Sequence, residues 1–177
     1  MSALLLASLW VHLAASVFLT GAFFMLLLAG PPTDAGARRW DERVVAGSRQ
    51  LVLVALGSGF VWLLLRTAVF EGRPHAALEA RAVWRAALET WPGLVWIARH
   101  GLLVVLLAFL AMRADVTARW NWMAARGEAF GLAALALGLM SASGHAVAVS
   151  PGTGWAVAVD VTHLLGAGLW AAIRMGW

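Results

Sequence analysis

Five long apolar stretches, separated by shorter polar segments, dominate the pattern of this chain. Each is close to the length of about 20 residues that an α-helix needs to cross a membrane. The predicted spans cover residues 3–29, 50–70, 92–112, 128–149 and 155–173. A further stretch, residues 75–90, is rich in alanine and arginine and predicts a short helix on the membrane surface. The pattern therefore predicts an all-α, polytopic membrane helix bundle that forms one transmembrane domain over residues 1–177.

The composition agrees with a membrane protein and removes several classes of function. Of 177 residues, 62% are hydrophobic and 12% are charged, which excludes an ordinary water-soluble domain. The chain has no cysteine, so disulfides and thiolate metal sites are excluded. The apolar run over residues 3–29 is far longer than the core of a cleavable signal peptide. No hydrolase or nucleotide-binding motif occurs, so we do not expect an enzyme, and nucleic acid is not an expected partner.

Arginines between the spans predict the orientation of the bundle. Eight fall on one side of the membrane, namely Arg38, Arg39, Arg43, Arg49, Arg113, Arg119, Arg126 and Arg174. Three fall on the other side, in the segment 71–91, where glutamates balance them. Because positive loops stay in the cytoplasm, the N-terminus is expected outside, in a multi-pass protein of the bacterial inner membrane.

Four of the five histidines lie inside predicted spans: His12, His100, His145 and His163. At a rise of 1.5 Å per residue, His12, His100 and His163 are expected roughly 12–15 Å below the outer surface, and His145 about 6 Å below it. An ionisable residue within a span marks a functional site by default. Imidazoles at such similar depths on four helices predict a shared metal or haem site. Each alone could equally be a hydrogen-bond donor between helices.

Two charged residues accompany these histidines. Asp160 precedes His163 by three residues and therefore shares its helix face. It is a candidate metal ligand, a group that orients His163, or a helix cap. Arg99, next to His100, is expected to reach the membrane surface, to act as a counter-ion for Asp160, or to donate to a cofactor carboxylate.

The chain resembles the CopD family of bacterial copper-resistance membrane proteins. The likeness rests on Trp10-x-His12-Leu13-Ala14-Ala15, on Ser143-Gly144-His145-Ala146, and on Asp160-x-x-His163-Leu164-Leu165-x-Ala167-x-Leu169-Trp170. It extends over nearly the whole chain and corresponds to the N-terminal, five-helix part of a typical member. The resemblance implies copper binding or transport across the inner membrane. Copper ligands would be His12, His100 and His163, with His145 and Asp160 forming a site that faces the periplasm.

A weaker likeness to HemJ-type haem-binding membrane proteins rests on the His-Leu pairs followed by small residues. It implies haem b held by two of these histidines, with Arg99 or Arg66 near the propionates, in an electron-transfer protein or subunit. A structural membrane subunit without a cofactor is the third alternative. Besides the lipid bilayer, the candidate partners are other membrane subunits and a periplasmic copper or electron carrier.

Overall fold

The computed structural model describes residues 2–112, 118–144 and 152–175. In chain order its α-helices are α1 (Ser2–Ala29), α2 (Ala35–Phe70), α3 (Ala80–Leu88), α4 (Trp91–Ala111), α5 (Arg119–Gly138) and α6 (Thr153–Met175). Two short 3₁₀ segments, Pro74–Leu78 and Ser141–Ser143, precede α3 and follow α5. All α-helices except α3 are long and apolar enough to cross a membrane. The predicted all-α bundle with five spans is thus confirmed.

The second helix is much longer than the predicted span, since it begins at Ala35 rather than near residue 50. Its start is set by Asp34, whose Oδ1 accepts hydrogen bonds from the backbone N–H groups of Gly36 and Ala37 at 2.7 and 2.9 Å. A carboxylate in this position satisfies donors that a helix start otherwise leaves free. The segment between the first two spans, expected to be a loop, is therefore mostly helical.

Four of the spans form a closed ring. Helix α1 packs against α2 and α5, and α4 packs against the same two helices from the opposite corner. The core between them is apolar and contains the buried side chains of Leu19, Phe23, Leu103 and Leu106. Polar groups in a membrane need hydrogen-bond partners within the protein. The buried hydroxyl groups of α1 and α2 find them in their own helices, because each donates to the carbonyl oxygen four residues earlier.

Helix α6 lies outside this ring, against α1 and α5. Its contact with α1 depends on a pair of glycines: a Cβ added at Gly21 would lie 2.4 Å from the carbonyl oxygen of Gly168. Small residues let two helix backbones approach this closely. Because Gly168 lies beside Val17 and Gly21, the part of α6 around Asp160 is level with His12 on α1.

A buried ion pair closes one end of the ring, which we call the Asp41 end. Arg126 of α5 donates to both carboxylate oxygens of Asp41, from Nη2 at 2.6 Å and from Nε at 3.1 Å. The indole N–H of Trp122 donates to the same carboxylate at 3.1 Å. This two-pronged pairing supplies the partners that buried charges require. Asp41 lies in the part of α2 that precedes the predicted span.

The opposite end, which we call the α3 end, carries an exposed cluster of charges. Arg85 donates to Glu71 at 2.6 Å, and Arg73 donates to both carboxylate oxygens of Glu79 at 2.8 and 3.0 Å. The hydrogen bond from Arg85 lowers the pKa of Glu71, and that from Arg73 lowers the pKa of Glu79. These pairs hold the 3₁₀ segment and α3 against the end of α2.

Candidate metal centre

Two histidines from opposite corners of the ring meet in its core. The rings of His12 on α1 and His100 on α4 are nearly parallel, with an angle of 4° between their planes and 5.6 Å between their centroids. Their residues are only 3% and 8% exposed. The sequence predicted that these two imidazoles lie at the same depth, and the structure brings them together.

The hydrogen bonds of His12 determine which ring nitrogen carries its proton. Nδ1 lies 2.7 Å from the carbonyl oxygen of Ala55 on α2, and a carbonyl only accepts, so Nδ1 is the donor. Nε2 accepts a hydrogen bond from Nη2 of Arg99, a group that only donates. His12 therefore directs the lone pair of Nε2 into the core.

His100 has the same arrangement on its Nδ1 side but lacks the second contact. Its Nδ1 donates to the carbonyl oxygen of Trp96 at 2.9 Å. The indole of Trp96 stacks on the imidazole, with 3.9 Å between centroids, and fixes the plane of the ring. Nε2 of His100 is buried and forms no hydrogen bond of ordinary geometry in the part of the chain that the structure describes, although the backbone carbonyl of Leu56 on α2 also interacts with this imidazole. Burying an unpaired polar atom is costly, so this nitrogen is a candidate binding atom.

Gly59 of α2 makes room for both rings. A Cβ added there would lie 2.4 Å from Nε2 of His100 and 2.9 Å from Cε1 of His12, closer than side-chain atoms approach. Its carbonyl oxygen also accepts the indole N–H of Trp96 at 2.9 Å. Any residue larger than glycine at position 59 would therefore displace one of the two rings.

Arg99 connects the pair to the remaining helix. Besides its contact with His12, it donates from Nε to the carbonyl oxygen of Ala136 at 3.0 Å. That carbonyl lies in the last turn of α5, where oxygens have no partner within the helix and the helix dipole favours a cation. The side chain is 6% exposed, so it does not reach the membrane surface. Its contacts are with an imidazole and a backbone carbonyl.

The structure does not bring the remaining predicted ligands to this pair. His163 is exposed on α6, and Asp160 is half-buried one turn earlier. His145 lies outside the described residues. Within the described ranges, no three His, Asp or Glu side chains come close enough to hold one metal ion.

Sequence reasoning did not assign the helix carbonyls of Ala55 and Ala136 or the role of Gly59. The signal for Gly59 was only its place in the middle of an apolar span, which also fits ordinary helix packing. Trp96 was recognisable, since it precedes His100 by one helical turn and so shares its face.

The fold and the site together define a class: a polytopic α-helical membrane protein with an imidazole pair in the core of a four-helix ring. A comparison with protein families identifies the family. Residues 1–156 match the family of the copper resistance protein D-like, N-terminal domain, and the chain belongs to it. The resemblance to the CopD family that the sequence shows is therefore confirmed. Searches of curated proteins and of solved structures each found no match.

Proposed function

We propose that this protein binds copper within the bilayer of the bacterial inner membrane, through Nε2 of His12 and Nε2 of His100, and passes it across the membrane in copper resistance. The observation that carries the proposal is the buried Nε2 of His100, which forms no hydrogen bond of ordinary geometry within the described residues and lies beside a second imidazole of the same tautomer. Membership of a copper-resistance family supports copper over the other metals that imidazole binds.

Both histidines have the surroundings of metal ligands. A ligating imidazole usually donates its other ring N–H to a carbonyl or carboxylate, which fixes its tautomer and orientation. Ala55 and Trp96 supply such carbonyls here. Two nitrogen donors suit an ion that accepts a low coordination number, such as Cu(I).

Arg99 has a defined part in this proposal. Its guanidinium donates to the same nitrogen of His12 that copper would use. Copper and Arg99 therefore compete for this atom, and the side chain has to leave His12 when the metal binds. It can keep its bond to the Ala136 carbonyl, because that bond uses Nε and not Nη2. The positive charge that remains nearby weakens cation binding and favours release, as transport requires.

Asp160, which is half-buried, and His163, which is exposed, form a second candidate donor pair on one face of α6. An imidazole is costly to leave in lipid, so we propose that this face meets another membrane subunit or a carrier and hands copper to or from the bundle. His145 is a further candidate ligand of this outer site.

Haem b has less support. The backbone of α2 at Gly59 lies against the imidazole pair, so that one methyl group added there would lie 2.4 Å from Nε2 of His100. A macrocycle would require α1 and α4 to move apart.

The test is a Cu(I) titration of purified protein against a competing chelator, with copper counted per polypeptide. His100→Leu removes the donor at nearly constant volume and should weaken binding by at least the roughly 10–100-fold caused by loss of a group that orients a ligand. His100→Met restores a soft donor and should recover much of the affinity. His75→Ala, at an exposed position of the 3₁₀ segment Pro74–Leu78, is the control.

His163→Ala separates the core pair from the α6 pair. Retained copper in this variant, with loss in His100→Leu, supports the core site. Loss in His163→Ala together with full occupancy in His100→Leu would move the copper site to α6. A Soret band in the parent protein would indicate haem instead.

A further inference from the structure

An apolar groove of about 550 Å³ opens beside α3, separate from the imidazole pair. Helix α2 contributes Phe60 and Leu64 to its walls, α3 contributes Val83 and Trp84, and α4 contributes Trp96 and Ile97. The volume falls within the range of about 300–1,000 Å³ that small-molecule sites occupy. Its lining consists of aliphatic and aromatic side chains, so the occupant it fits is hydrocarbon.

The one indole in the groove that faces the core has no free donor. The N–H of Trp96 is already bonded to the carbonyl oxygen of Gly59 at 2.9 Å. Trp84, by contrast, is 66% exposed at the rim, as is typical of indoles at a membrane boundary. A ligand in the groove would therefore place its apolar part near Trp96 and its polar end near Trp84.

The charged side chains on and beside α3 indicate which polar group the ligand would carry. Arg85 is paired with Glu71, and Arg73 is paired with Glu79. Arg81 is exposed, and within the described part of the chain it has no ion pair. It precedes Trp84 by three residues and so lies on the neighbouring part of the helix surface. An arginine that forms no ion pair among the described residues thus lies one helical turn from Trp84, which lines the groove.

We propose that this groove binds one acyl chain of an anionic phospholipid from the leaflet at the α3 end, with the lipid phosphate at Arg81. A short amphipathic helix with arginines on one face and apolar residues on the other lies in the headgroup region, where such a lipid is available. The site does not depend on copper, although the chain would pack on the far side of the indole that stacks on His100.

The experiment measures lipid retained by the detergent-purified protein in native mass spectrometry. Phosphatidylglycerol and phosphatidylcholine with identical acyl chains are the probes, and inorganic phosphate is the competitor. We expect one retained phosphatidylglycerol per chain, weaker retention of phosphatidylcholine, and no displacement by phosphate. Equal retention of the two lipids, or displacement by phosphate, would overturn the proposal.

Two variants with matched controls test the parts of the site. Ala80→Phe fills the groove from the exposed first turn of α3 and should abolish retention, whereas Ala35→Phe, in the exposed first turn of α2, should not. Arg81→Gln should lower affinity for phosphatidylglycerol by about fivefold, which is the effect of one arginine near anionic lipid. Arg38→Gln is its control. If Ala80→Phe or Arg81→Gln retains as much phosphatidylglycerol as the parent protein, the proposed site is refuted. Because Arg81 is exposed, its substitution tests the site without disturbing the fold.

Discussion

Gly59→Ala is the most direct test of the packing at the imidazole pair. The added methyl group would lie 2.4 Å from Nε2 and 2.6 Å from Cε1 of His100, and 2.9 Å from Cε1 of His12. The rings cannot simply turn away, because His100 is stacked on Trp96 and His12 is bonded to the Ala55 carbonyl. The substitution should therefore displace at least one ring and strain the helices that carry it.

The chain offers a matched control two residues away. Gly57 is in the same helix, and a Cβ added there meets nothing within 4 Å. Replacing glycine by alanine inside a helix favours folding by about 1 kcal/mol in both variants. Overpacking costs about 1–3 kcal/mol in Gly59→Ala alone. We therefore expect Gly57→Ala to be more stable than the parent, and Gly59→Ala to be about 1–3 kcal/mol less stable than Gly57→Ala.

The assay is denaturant unfolding of both variants in the same detergent, followed by circular dichroism, together with the copper titration described above. Because the helix-propensity gain is common to both variants, their difference isolates the contact with the rings. Equal free energies of unfolding for the two variants would show that the rings are not held as the structure places them. Weaker copper binding by Gly59→Ala but not by Gly57→Ala would further connect the metal to these rings.

Three other outcomes are expected. Asp41→Asn leaves a buried guanidinium without its counter-ion and should lower the free energy of unfolding by about 3–5 kcal/mol, whereas the exposed neighbour Glu42→Gln should leave it unchanged; both are measured by unfolding in detergent. The hydrogen bond from Arg85 lowers the pKa of Glu71, so the stabilisation of the α3 end by this pair is present above the ordinary pKa of 4.5 and is lost as the pH falls through the lower folded value. Amide exchange of α3 should accelerate over that range in the parent and by less in Glu71→Gln, in which only the Arg73–Glu79 pair still titrates. Cysteine at Ser2 should be labelled from outside intact spheroplasts and cysteine at Gly36 should not, and the reverse pattern would contradict the predicted orientation.

The sequence alone determined the membrane class, the five spans and the family. These follow from the length and apolarity of the helices and from short motifs around His12 and Asp160, which need no knowledge of packing. The common depth of His12 and His100 also followed from counting residues along two spans, because the rise per residue of a helix is fixed.

Only the tertiary structure decided which histidines meet. Spans that are apolar all round carry no stripe that distinguishes the core from lipid, so the sequence cannot show which face of a helix turns inward. His12 and His100 face the core, while His163 of α6 faces outward, although all three looked alike in sequence. The same holds for Asp41 and Arg126: both lie outside the predicted spans, yet the extension of α2 and close packing at one end of the ring make them a buried ion pair. A contact between residues this far apart in the chain depends on how the helices pack, and that arrangement leaves no local pattern in the sequence.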